Sequence, residues 1–171
     1  MISSPLAGLR SPRGLSTAAR RAAQELPAAG PRALRVTGAL LGLAAIGIYL
    51  VMALARLTYP FTVEVLESNS LIEVHRILAG QPLYAPPGVS YVPDGYPPLY
   101  FWVSAAVGSV LGQSYLSLRL VSLTASLACF ALLARLVQRE TASACAGVAA
   151  AGVLAATYFA AGKWFDVARV D

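Results

Sequence analysis

Two carboxylates three residues apart, Glu64 and Glu67, stand just past an apolar run that ends at Leu57, and the segment Ile77-Leu-Ala-Gly-Gln-Pro-Leu-Tyr84 follows them. A carboxylate within hydrogen-bond reach of a hydroxyl can take its proton, a contribution of roughly 10²- to 10⁴-fold to a transfer reaction. A second acidic pair, Asp166 and Asp171, lies near the far end of the sequence, and Arg76, Arg119, Lys163 and Arg169 are the cations that could meet a phosphate beside either pair. The spacing 64, 67, 71, 74, 78 places both glutamates and Leu71, Val74 and Leu78 on one helical face. Thr62 is the expected cap of that helix, and Gly80 followed by Pro82 is its expected stop.

The elements that must position these groups are apolar. Hydrophobic residues make up 57% of the sequence, charged residues only 12%, and the mean hydropathy is +0.65, which excludes an ordinary soluble domain. Four apolar stretches can be read: Ala33–Leu57, Leu99–Leu111, Leu116–Val137 and Ala142–Gly162. The second is too short to cross a bilayer and opens with Pro97-Pro98 and the Tyr100, Phe101, Trp102 cluster, so it should lie along the surface. Three crossings also satisfy the preference of Lys and Arg for the cytoplasmic side. That side then holds Arg10, Arg13, Arg20, Arg21, Arg32, Arg35, Arg135 and Arg139 against Glu25 and Glu140. The outer side holds both acidic pairs. Residues 1–32, rich in Arg, Ala, Ser, Pro and Gly, read as a disordered basic cytoplasmic tail, and the run after it is too long for the core of a signal peptide. The expected fold is therefore an all-α membrane protein with spans at 33–57, 116–137 and 142–162 and an outer loop at 58–115 carrying amphipathic or interfacial helices.

Five motifs appear in order: Glu64-Val-Leu-Glu67-Ser, the Gly80-Gln-Pro-Leu-Tyr84 run, Tyr96-Pro-Pro-Leu-Tyr100, Arg119-Leu-Val-Ser122 and Trp164-Phe-Asp-Val-Ala-Arg-Val-Asp171. From about Val36 to Asp171 the chain resembles the N-terminal module of GT-C integral-membrane glycosyltransferases, in particular the bacterial relatives of the dolichyl-phosphate-mannose protein mannosyltransferases, which include the lipid A aminoarabinose transferases. The resemblance implies a multi-pass protein of the plasma (inner) membrane, with its N-terminus cytoplasmic and its catalytic loop extracytoplasmic. It also implies transfer of a sugar from a polyprenyl-phosphate donor to an acceptor hydroxyl on a glycan, lipid or protein. By position, Glu67 or Glu64 would be the base, with Glu67 favoured, and Asp171 would be the acid of the second loop. Arg119, Arg76, Asp166, Arg169 and Tyr96 would contact substrate. Many relatives carry an adjacent Asp-Glu where this chain has Glu-Val-Leu-Glu, so the base is not fixed by the pattern.

The remaining chemistry-bearing residues are sparse. His75 is the sole histidine, which excludes a multi-His metal site, and it reads as a surface residue. Cys129 and Cys145 lie in apolar runs and read as small buried hydrophobes. Asp166 and Asp171 with Glu67 could hold a divalent cation, but carboxylates of unspecified separation establish no cofactor. The basic residues flank apolar spans without interleaved aromatics, which favours lipid over nucleic acid as their partner. Since the resembled enzymes hold their donors with further spans, the sequence leads us to expect a fragment that does not turn over alone. The alternative is a non-catalytic polytopic protein serving as a partner or assembly subunit. A transporter piece is disfavoured because the span centres carry almost no charge.

Overall fold

The first apolar run forms one uninterrupted helix, α1 (Ala29–Leu57), four residues longer at its start than the span read from the sequence. The structure, a computed structural model, describes residues 29–89 and 91–169. Residues 1–28 of the expected tail, and Asp171, lie outside the described residues. The chain divides into two units, Met1–Leu34 and Arg35–Asp171. The described part of the first is the start of α1, and the second contains everything that follows.

Four more helices complete the fold: α2 (Val65–Leu78), α3 (Leu99–Leu111), α4 (Tyr115–Thr141) and α5 (Ala144–Ala160), with no strand among the described residues. The cap of α2 is Glu64 itself, not Thr62: its backbone is extended and its carboxylate accepts the Leu66 N–H at 2.8 Å. At the other end Gly80 adopts φ +70°, which only glycine takes without strain, and the helix stops where Gly80 and Pro82 predict. Ser114 and Ser117 form a reciprocal cap at the start of α4. Ala142 turns left-handed between α4 and α5 to make a helical hairpin.

Arg32–Leu57 in α1 and all of α4 are long and apolar enough to cross a membrane. The 17 residues of α5 rise only about 25 Å, short of a hydrocarbon layer about 30 Å thick, so helix length alone carries two of the three expected crossings. These helices share a core of Tyr49 and Ala53 from α1, Leu123 and Phe130 from α4, and Ala151, Ala155 and Tyr158 from α5. Tyr49 meets Phe130 and Tyr158 edge to face, each at 5.2 Å between ring centroids. A second cluster, Val74, Ala105, Leu118 and Ala168, joins α2, α3 and the segment after α5 to the start of α4. Leu71 and Leu78 pack against it, completing the apolar stripe expected of α2.

Small residues set the spacing of α1 against α5. A methyl group added at Gly152 would overlap Gly42 Cα, and one added at Gly42 would lie 2.8 Å from the Val148 carbonyl oxygen. Such close backbone approach is how apolar helices associate where no hydrophobic force acts between them. Gly152→Val or Gly42→Val is therefore expected to destabilise the protein by about 1–3 kcal/mol or more through overpacking, read as a lowered Tm in detergent. Gly47→Val, where an added methyl meets nothing within 4 Å, is expected to leave Tm near wild type. Equal losses at Gly47 and Gly152 would remove the packing argument.

Candidate functional site

Arg119 sits in the second turn of α4 with its side chain wholly buried. Each of its five N–H donors has an acceptor. Nε and Nη2 grip Glu67 Oε1 and Oε2 at 2.9 and 2.7 Å, Nη1 reaches the carbonyls of Arg56 and Tyr59 at 2.8 and 2.6 Å, and Nη2 also reaches that of Phe61 at 2.8 Å. Glu67 is equally enclosed. Besides Arg119, its Oε1 accepts the Ala168 N–H at 2.9 Å and its Oε2 the Val63 N–H at 2.7 Å, so all four acceptor positions are filled. Burial by itself would raise the pKa of Glu67, but the Arg119 side chain and the Ala168 and Val63 amides outweigh it and hold the carboxyl below its ordinary 4.5.

This geometry reassigns two residues. Glu67, favoured on sequence grounds as the base, has neither an open lone pair nor a solvent path, and Arg119, read as a substrate contact, has no donor to offer a phosphate. Glu67 is also withdrawn from any cation shared with Asp166. The open carboxylate is Glu64, whose side chain is 24% exposed and whose Oε1 lies 3.7 Å from Arg169 Nη1. Arg169 in turn stacks over Trp164, 4.2 Å from the ring centroid.

Arg169, Trp164 and Tyr100 border an apolar groove of about 300 Å³ whose wall is α4 (Ser122, Ala125, Ser126, Cys129, Phe130), closed by Leu154 and Phe165. The segment after α5 is placed by local chemistry. Gly162 and Lys163 take φ +71° and +63°, and a methyl at Gly162 would lie 2.8 Å from the Trp164 ring. Ser126 then donates to the Phe165 carbonyl at 2.8 Å, fixing the segment to α4. Arg169 was a sequence candidate, but the rest of the groove lining was not assigned a role from the sequence because it comes from four separate stretches. The aromatic Trp164-Phe165 beside Arg169 is the one local signal. Cys129, read as buried, is exposed and lines the groove, and both cysteines are free.

The other candidates lie apart from this mouth. Asp166 is buried beside Arg56, whose Nη1 is 3.6 Å from Oδ2. Arg76 lies over the Tyr91 ring, 3.6 Å from its centroid, and donates to the Pro82 carbonyl at 2.9 Å, so it braces the segment between α2 and α3. Glu73 is 2% exposed and accepts from the Tyr91 hydroxyl at 2.6 Å. Burial and Glu73 push the Tyr91 hydroxyl up to about 12, and the same two causes raise Asp94. The Tyr96 carbonyl accepts from the Tyr84 hydroxyl at 2.5 Å, part of the same loop framework. His75 is exposed, as read.

Breaking a buried, hydrogen-bonded ion pair from one side costs about 3–5 kcal/mol, so Arg119→Met and Glu67→Gln are each expected to lower Tm sharply. Because the folded pKa of Glu67 is depressed, its stabilisation is complete above about pH 4.5 and lost as pH falls through the folded value. Unfolding followed from pH 7 down to 3 should show an acid limb in wild type that Glu67→Gln flattens. An unchanged limb would show that another group carries it.

No family model, no curated protein and no solved structure matches this chain.

Proposed function

We propose that this chain supplies the acidic half of the active site of a GT-C-like membrane glycosyltransferase. It would use a polyprenyl-phosphate-linked sugar and an acceptor hydroxyl. The observation that carries the reading is the Glu64 carboxylate standing 3.7 Å from the Arg169 guanidinium at the mouth of an apolar groove. The groove suits an isoprenoid chain, Arg169 the phosphate and the exposed face of Trp164 the sugar. Glu64 takes the acceptor hydroxyl proton as the oxygen attacks the anomeric carbon. The bond from that carbon to the phosphate oxygen breaks, and the polyprenyl phosphate leaves with its negative charge against Arg169.

In this reading α1, α4 and α5 cross the plasma membrane, and α2, α3 and the segment after α5 lie on the extracytoplasmic side. What supports it is the gathering of Arg56 at the end of α1, Arg119 near the start of α4 and Lys163 just beyond α5 into one hydrogen-bonded region. A short α5 can be accommodated by local thinning of the bilayer.

Polyprenyl phosphate binding to the chain in nanodiscs, measured by native mass spectrometry, tests the groove. Arg169→Ala and the groove-filling Leu154→Trp are expected to weaken binding by about tenfold, equivalent to about 1.4 kcal/mol. Glu64→Gln is expected to leave binding intact and to lower sugar transfer, in any preparation that shows it, by about 10²-fold or more. Unaltered binding in both groove variants, or full transfer with Glu64→Gln, would overturn the assignment. Single cysteines at Gln138 and Val89, in a background lacking Cys129 and Cys145, should label from opposite sides of the membrane; labelling from one side would sink the three-crossing arrangement.

A further inference from the structure

Arginines stand inside α4 toward both of its ends, and the protein neutralises only one end. Arg119 and Arg135 are 16 positions apart, a rise of about 24 Å, which is less than a hydrocarbon layer about 30 Å thick. On a helix that crosses a bilayer, two charges so close cannot both clear the apolar layer, and each needs a counter-charge or a path to the headgroups. Arg119 has Glu67 and three carbonyls. Arg135 and Arg139 are exposed, and neither side chain has an ion pair or hydrogen bond among the described residues.

The surface below them is apolar. Ala128, Ala131 and Leu132 are exposed on the same helical face as Arg135 and Arg139, with Leu132 at 65%. Charge at this end of the fold is also one-sided. Exposed Arg35 of α1 lies here, because a methyl at Gly38, three residues on, would sit 3.6 Å from Ala149 Cβ in the second turn of α5. The start of α5, capped by Ser143, turns the positive end of its backbone dipole the same way. Glu140 is offset from Arg139 by about 100° around the helix and pairs with neither arginine.

We propose that Arg135 and Arg139 form a docking site for an anionic phospholipid, its phosphate held between the two guanidinium groups and an acyl chain lying along Leu132 and Ala128. Guanidinium N–H groups meet phosphate oxygens in pairs, and two such groups one helical turn apart flank a single phosphodiester. A lipid of net negative charge is selected over a zwitterionic one, whose ammonium enters the same positive field. The site rests on α4 crossing a bilayer and not on the transferase reading, and it lies at the far end of α4 from Arg119 and Glu67.

Competition between phosphatidylglycerol and phosphatidylcholine for the full chain, read by native mass spectrometry, tests the site. Phosphatidylglycerol is expected to be preferred about tenfold, the Arg135→Gln/Arg139→Gln double variant to reduce this to about twofold or less, and Arg169→Ala to leave it unchanged. No preference in the unmodified chain, or a preference that survives the double variant, would overturn the proposal. Loss with Arg169→Ala instead would move the anion to the groove and equally overturn it. Because the double variant removes no contact within the protein, its Tm in phosphatidylcholine is expected to match wild type. The unmodified chain gives a further check: its preference should fall as ionic strength rises, and millimolar inorganic phosphate should not displace the lipid. A salt-independent preference, or displacement by phosphate alone, would rule out a charge-selected lipid site.

Discussion

The fold turns on a single buried ion pair. Taking a guanidinium and a carboxylate out of water costs several kcal/mol per ion, and their attraction repays this only when the remaining donors and acceptors are also met. Here they are met in full. Arg119 and Glu67 satisfy each other bidentately, and the leftover positions are filled by one carbonyl in the last turn of α1, two just after it, and the Val63 and Ala168 amides. The pair thus joins four stretches of chain: the end of α1 with its following turn, the first turn of α2, the second turn of α4 and the segment beyond α5. The two apolar clusters are non-directional and would tolerate sliding; the ion pair fixes their register.

Much of the local architecture is legible in the sequence. Gly80 and Pro82 mark the end of α2, the period of Leu71, Val74 and Leu78 marks its packed face, and uninterrupted hydropathy marks α1 and α4. Each of these signals lies within a few residues of the feature it sets. The partner of Glu67 is 52 residues away, and no local spacing announces it. A clue was nonetheless present: a charge one turn inside an apolar helix needs a counter-ion, and Arg119 is such a charge. The spacing of Gly38 and Gly42 was likewise readable as a face for close helix packing, but choosing α5 as its partner needed the tertiary contact at Gly152.

The candidate site was legible in composition and not in roles. Sequence position treats Glu64 and Glu67 as equivalent members of a pair on one helical face. Their environments separate them completely, because the N-cap position of Glu64 commits only Oε2, to the Leu66 amide, while Glu67 points inward to four donors. Two neighbouring carboxylates with divergent surroundings are the usual basis of divided labour in an active site, one holding structure and charge and the other free to exchange a proton.

That division also explains why the open carboxylate can be well placed while remaining partly open to solvent. A side chain on a surface loop loses precision through motion, whereas Glu64 is held by its own cap bond and stands three residues from an anchored Glu67. Its counterpart Arg169 follows immediately after Ala168, whose amide is bound to the same Glu67. Glu64 and Arg169 are therefore tethered to one buried carboxylate from opposite directions in the sequence. Their separation is set by the geometry of the ion pair rather than by their own 3.7 Å contact, which is too long for a hydrogen bond. Glu64 and Arg169 are thus both positioned before anything enters between them, which is what preorganisation of a site requires.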